Sequence, residues 1–373
     1  MTLADRIRSA GPKRILALDG GGILGLMSVE TLARIEDLLR HRLGRGPEFV
    51  LADYFDLVAG TSTGAVIGAC VAVGMPAARI RRFYLESGRQ MFEPASVFER
   101  LHHKYESEPI AKKLKTEFGA DTKLGSDKLR SMLMMVMRNA TTDSPWPVTN
   151  NPFAKYNQRA RADCNLEIPL WQLVRASTAA PTFFPPEVVT VGPKTFVFVD
   201  GGITTYNDPA FLAFVMATAA PYRVNWPAGA DKMLVVSLGT GTTPRENAKL
   251  KPRDMHLLYN AAGIPGALMN AAQSGQDLLC RVFGACRAGD PIDREIGDMI
   301  AVESSGPVSP KLFTYLRYDP NVTREGLEEL GLPDVKSDQV SKMDSVEHMA
   351  DIQRVGRAFG EKRVKAEHFD GFV

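Results

Sequence analysis

The chain has 373 residues, 45% hydrophobic and 24% charged, enough apolar material for one large core or two small ones. Its formal net charge of +2 excludes the global positive field that binds a nucleic acid polymer. Four cysteines, Cys70, Cys164, Cys280 and Cys286, form no C-x-x-C pair, which argues for reduced thiols in a cytosolic compartment.

The first segment, MTLADRIRSAGPKR, carries positive charge with no apolar stretch behind it and does not read as a signal peptide. RILALD, 14–19, is a short apolar strand that stops at three glycines, Gly20, Gly21 and Gly22. Val29, Leu32, Ile35 and Leu39 then recur at helical spacing, with Glu30 and Arg34 on an exposed flank. YFDLVAG, 54–60, reads as a second strand, and TGAVIGACVAV, 63–73, as a helix apolar on most sides and therefore buried.

Residues 57–78 contain no charge and are long enough to cross about 30 Å of hydrocarbon. Thr61, Ser62, Thr63 and four glycines interrupt the run, and a strand, tight turn and buried helix account for it better. The basic clusters RIRR, 79–82, and AKKLK, 111–115, read as solvated helix faces. The middle of the chain is charged and helical to Lys115; SMLMMVMRN, 131–139, then reads as a core strand, before the turn-rich TTDSPWPVTNNP. TFVFVDGG, 195–202, and KMLVVSLGTG, 232–241, are continuous apolar strands ending in glycine-rich turns, and the pattern beyond about 245 is helical. Buried strands each followed by helix predict an α/β fold with a sheet at least partly parallel, and no linker divides the chain.

Gly20, Gly22 and Gly25 satisfy G-x-G-x-x-G between a strand and a helix, the setting of a dinucleotide site. The acidic residue that should end the next strand is missing, because YFDLVAG runs straight into Thr-Ser-Thr-Gly. The same geometry suits an oxyanion hole, in which the N–H groups of Gly20, Gly21 and Gly22 converge on one oxygen. GTSTG, 60–64, is G-x-S-x-G at a strand-to-helix turn, with Gly60 and Gly64 flanking Ser62 as an elbow requires. Such an elbow exposes Ser62 as a nucleophile; the plainer reading is a helix-capping serine.

His41, His102, His103, His256, His348 and His368 all lie outside strand ends and glycine turns, so a histidine base lacks a persuasive candidate. Asp200 ends the strand TFVFV ahead of Gly201 and Gly202, and a buried carboxylate there can take the serine proton directly. Asp19 repeats that grammar and is read as holding the glycine loop in shape.

Taken together, DGGGILG (19–25), GTSTG (60–64), ASTAAPTFFPP (176–186), DGG (200–202), NDPA (207–210) and SLGTG (237–241) resemble the patatin-like phospholipases in family order. The resemblance covers about residues 13–243, taken as the catalytic domain, with 244–373 a mainly helical part packed on it. It implies a three-layer sandwich with a mostly parallel central sheet, a Ser62–Asp200 dyad, and an oxyanion hole from the glycine loop. The N–H of Thr63 is expected to join that hole. It also implies hydrolysis of phospholipid acyl esters at a bilayer surface, without a metal. Leu24 departs from the family, whose members usually carry Arg or Lys there.

SPWPVTNNPFAKYN (144–157) and LLCRVFGACRAGDPIDREIGD (278–298) are similar to bacterial members that act in cyclic-nucleotide-activated antiphage (CBASS) defence. That similarity implies a cyclic di- or trinucleotide activator, a cytoplasmic protein peripheral to the inner membrane when active, and homo-oligomers as partners. The basic, aromatic-bearing region 79–118 is the expected lipid contact. Two rival classes stand beside this one, a nucleotide-binding protein using Gly20–Gly25 and a catalytically silent scaffold of the same fold.

Overall fold

The computed structural model describes residues 2–91, 105, 108–243, 257–292 and 307–373. Their core is a nine-stranded mixed sheet between two helical layers. β1 (Lys13–Leu18) lies at its centre, parallel to β2 (Leu57–Thr61) on one side and to β7 (Met233–Leu238) on the other. β3 (Met132–Asn139) continues in parallel beyond β2 and receives β4 (Ser144–Thr149) antiparallel. β5 (Glu187–Val191) and β6 (Lys194–Asp200) form a hairpin, and β6 runs antiparallel to β3. On the far side β9 (Thr314–Tyr318) lies parallel to β7, and β8 (Ala285–Ala288) closes the edge beside it.

Side chains along the central strands alternate between two apolar cores, as a pleated ribbon buried on both faces requires. Leu16 and Leu18 of β1 enter one, and Ile15 and Ala17 the other. In β3 the methionines divide likewise, Met135 and Met137 to the first core and Met132 and Met134 to the second.

In chain order the helices are α1 (Leu3–Arg8), α2 (Gly25–Arg42), α3 (Thr63–Ala72), α4 (Ala77–Met91), α5 (Glu108–Phe118) and α6 (Leu170–Ser177). There follow α7 (Ala210–Thr218), α8 (Leu257–Phe283), α9 (Arg324–Glu329), α10 (Ser337–Val340) and α11 (Met349–Arg363). The first core packs α2 to α6 and α11 against the sheet, and the second packs α1, α7 and the end of α8. The charge-free run 57–78 is β2, a tight turn and the wholly buried α3, and no helix among the described residues is long and apolar enough to cross a membrane.

Two local expectations are corrected. Glu30, expected on an exposed flank of α2, is buried, because α11 packs across that face. Its carboxylate accepts from Arg81 at 2.7 Å and from Gln353 at 2.8 Å, which satisfies the charge once water is excluded. β6, expected to be buried on both faces, lies next to the sheet edge and leaves Val197 exposed.

Candidate active site

Ser62 occupies a sharp turn between β2 and α3 at φ +55° and ψ −123°. A side-chain-bearing residue held there costs about 1–3 kcal/mol, so the surroundings must impose it. They do so by close approach: a Cβ on Gly64 would strike the Leu18 carbonyl, and one on Gly60 the Gly64 carbonyl. The Ser62 carbonyl accepts from the N–H groups of Ala65 and Val66 at 2.8 and 3.3 Å, starting α3. Glycine has no Cβ to strain at this φ, so Ser62→Gly is expected to be more stable than Ser62→Ala by about 1 kcal/mol in urea denaturation. Equal midpoints would show the turn to be unstrained.

The Ser62 hydroxyl donates to Asp200 Oδ2 at 2.6 Å. Asp200 ends β6 opposite Met137 of β3, and its own N–H donates to the Ala179 carbonyl at 2.9 Å. Its second oxygen, Oδ1, accepts from the Gly202 N–H at 2.6 Å. The carboxyl is 4% exposed, and this burial lifts its pKa to about 6 against the opposing pull of Ser62, Gly202 and Arg175. Among the described residues no histidine bonds to Ser62; His102, His103 and His256 lie outside them.

The glycine loop approaches the same hydroxyl, for a Cβ on Gly20 would lie 3.2 Å from Ser62 Cβ. The expectation that Gly20 contributes to an oxyanion hole is corrected, because its N–H already donates to the Asn207 carbonyl at 3.1 Å. The N–H groups of Gly21, Gly22 and Thr63 have no acceptor among the described residues and are the donors left for an incoming oxygen. Gly22 is left-handed at φ +61°, and a Cβ there would strike the Met343 carbonyl, which accepts from the Ile23 N–H at 2.9 Å. Gly25 and Gly201 allow equally close approach of the Thr63 side chain and the Val136 carbonyl.

A model of the patatin-like phospholipase family matches residues 16–214, more than half of the chain. The chain belongs to that family. It is similar to Patatin-17 of Solanum cardiophyllum, 30% identical over 61% of this chain and 60% of the relative. It is also similar to Patatin-like protein 1 of Arabidopsis thaliana, 32% identical over 62% of this chain and 59% of that protein. The chain therefore spans about 60% of the length of these curated relatives. The solved structure of VipD from Legionella pneumophila aligns with 92% of this chain and 67% of its own at 13% identity, with a TM-score of 0.36.

This patatin-like chain supports its glycine loop from beyond the matched residues. Asp19, at the end of β1, accepts from Arg317 of β9 at 2.7 and 3.0 Å and from Gln273 of α8 at 3.1 Å. Arg317 also donates to Asp208, Ser237 and Asp319. Burial raises the pKa of Asp19 and Asp208, while the carboxylates around Arg317 keep its guanidinium charged. Thr240 donates to the Gly20 carbonyl at 3.0 Å. Leu24 sits in the apolar core, 4% exposed, so the loop is braced by Asp19, Thr240 and Met343 instead of by a cation at that position.

Sequence reading missed Ser177, Asn207 and Arg317. Asn207 and Ser177 lie within quoted family stretches, but a hydroxyl or amide that bonds backbone carries no spacing signal. Arg317 sits in TYLRY, whose lone cation gives no hint that the strand is buried and paired on both sides.

Proposed function

We propose that the protein is a serine acyl hydrolase of phospholipase A type, cleaving fatty acyl esters of membrane phospholipids. The observation that carries this reading is the 2.6 Å hydrogen bond from the strained Ser62 elbow to a buried Asp200. Asp200 takes the Ser62 proton as the oxygen attacks the ester carbonyl. The tetrahedral oxyanion is met by the N–H groups of Gly21, Gly22 and Thr63. Collapse of this intermediate releases the lyso-lipid alcohol, which carries the proton away from Asp200. Water then gives its proton to Asp200, attacks the acyl-serine and frees the fatty acid, and the proton returns to Ser62.

The finer reading adds a cyclic di- or trinucleotide that switches this activity on in bacterial antiphage defence, at the cytoplasmic face of the inner membrane. It rests on the similarity of 144–157 and 278–298 to such effectors. In its support, Arg281, Asp290, Pro291 and Ile292 from the second stretch line a polar cavity together with Gln273 and Arg317, the two side chains that hold Asp19. A dinucleotide-binding reading of the glycine loop is disfavoured by the carbonyl of Met343 and side chain of Thr240 packed against it.

The test is fatty acid release from mixed phospholipid vesicles, with and without a panel of cyclic di- and trinucleotides. Release by the wild type and none by Ser62→Ala is expected. Dependence on one nucleotide supports the effector reading, and constitutive release overturns it while leaving the hydrolase. No release under any condition sinks the phospholipase reading.

A further inference from the structure

The last residue of α6, Ser177, is wholly buried, and its hydroxyl bonds to no group of its own helix. Its Oγ accepts the Ser62 backbone N–H at 2.9 Å and donates its own proton to the Val136 carbonyl of β3 at 2.6 Å. Both hydrogen-bonding capacities are thus spent on backbone, one on the turn and one on the sheet.

That geometry has a consequence for the pair on either side. Val136 is the β3 residue paired with Thr61, directly before Ser62. Its neighbour Met137 is the residue paired with Asp200. The chain just past Ser177 also holds the Asp200 N–H, through the Ala179 carbonyl. One short segment, 177–179, therefore bonds to both Ser62 and Asp200, and through Ser177 it ties the Ser62 turn to β3, the strand that also pairs with Asp200.

We propose that Ser177 is a positioning residue that sets the contact between Ser62 Oγ and Asp200 Oδ2. It does this by holding the Ser62 backbone in its unfavourable conformation and at a fixed distance from β3. The proposal rests on the roles of Ser62 and Asp200 given above. Without the Ser177 hydroxyl the Ser62 N–H loses its buried acceptor and the turn can relax away from φ +55°. Nucleophile and base then separate, and a misplacement of about 1 Å can cost 10²-fold in rate.

The experiment compares Ser177→Ala and Ser177→Thr with wild type on a soluble p-nitrophenyl ester, per folded enzyme. A second readout, the rate of Ser62 labelling by a fluorophosphonate, follows the nucleophile without turnover. The alanine variant is expected to lose about 10- to 100-fold in kcat and in labelling rate, with KM within about twofold. Its acid limb is expected at higher pH, because a weakened bond from Ser62 no longer holds the Asp200 pKa down. The threonine variant keeps the hydroxyl and is expected to recover most of the rate.

A merely structural serine would lower the melting temperature and leave kcat, labelling and the acid limb of the folded enzyme unchanged, which overturns the proposal. Threonine as slow as alanine, with both folded, overturns it too. Should alanine fail to fold, Ser177→Cys, of similar size with a weaker donor and acceptor, is read in the same way. A wild type that is labelled but does not turn over counts against the hydrolase reading, and labelling alone then judges Ser177.

Discussion

Asp200→Asn is expected to lose about 10³- to 10⁴-fold in kcat and, at pH 8, to unfold at a higher temperature than the wild type. The two effects have one cause. Asparagine can keep the acceptor for Gly202 and the contact with Ser62, but it cannot take a proton. Its gain comes from the charge it lacks, since burial lifts the Asp200 carboxyl from 3.8 to about 6. An acid whose pKa rises on folding is penalised wherever it is ionised in the native state. The penalty is absent below pH 3.8 and complete above about 6, where a shift of this size corresponds to about 3 kcal/mol. The melting gap between variant and wild type should therefore open from pH 4 to 6 and then stay level. The same titration places the acid limb of wild-type activity near pH 6, because only the carboxylate accepts the serine proton. A gap independent of pH, or an asparagine variant of near wild-type rate, would remove Asp200 from the role of base.

Arg317→Met is expected to destabilise the fold by about 3–5 kcal/mol at pH 8. Arg317 is 5% exposed and faces Asp19 and Asp208, both buried. Methionine fills similar space, so the loss is electrostatic: two carboxylates stay in the interior without their cation. Their pKa values, already raised by burial, rise further, and the folded state then binds protons more tightly than the unfolded one. The deficit should thus be largest at alkaline pH and shrink on acidification. Urea denaturation at pH 8 and 5.5 measures it, with Arg324→Ala, on an exposed pair with Glu328, as a control without measurable change. A deficit that grows on acidification would contradict the account.

The contrast between Asp200 and Arg317 also marks what the sequence made legible. That Ser62 and Asp200 are candidates to meet was readable because a strained turn and a buried strand end each impose local composition, G-x-S-x-G and strand-Asp-Gly-Gly. The parallel centre of the sheet was readable for a similar reason: strands buried on both faces become continuous apolar runs, as in β1, β2 and β7. β8 and β9 follow the helical stretch after 245 and are short, and the TYLRY strand holds a charge whose buried partners, Asp19 and Asp208, are distant in sequence. Gly20 was misassigned because three consecutive glycines look equivalent until the chain near Asn207 folds back and takes one N–H. Glu30 was misassigned because the helix that covers it, α11, lies more than 300 residues later.

The pairing of β3 with β6 has a mechanical side. Ser62 follows directly on β2, inside the fully enclosed parallel half of the sheet. Asp200 arrives on a hairpin that meets β3 over three residue pairs, sets one face, Val189, Val191 and Phe198, into the core and turns the other to solvent. The two residues of the proposed dyad thus sit on differently enclosed supports, and the one nearer the sheet edge carries the proposed base. Amide exchange is expected to be faster in β5 and β6 than in β1 and β2, a local opening that would part Ser62 from Asp200 while the parallel core stays folded.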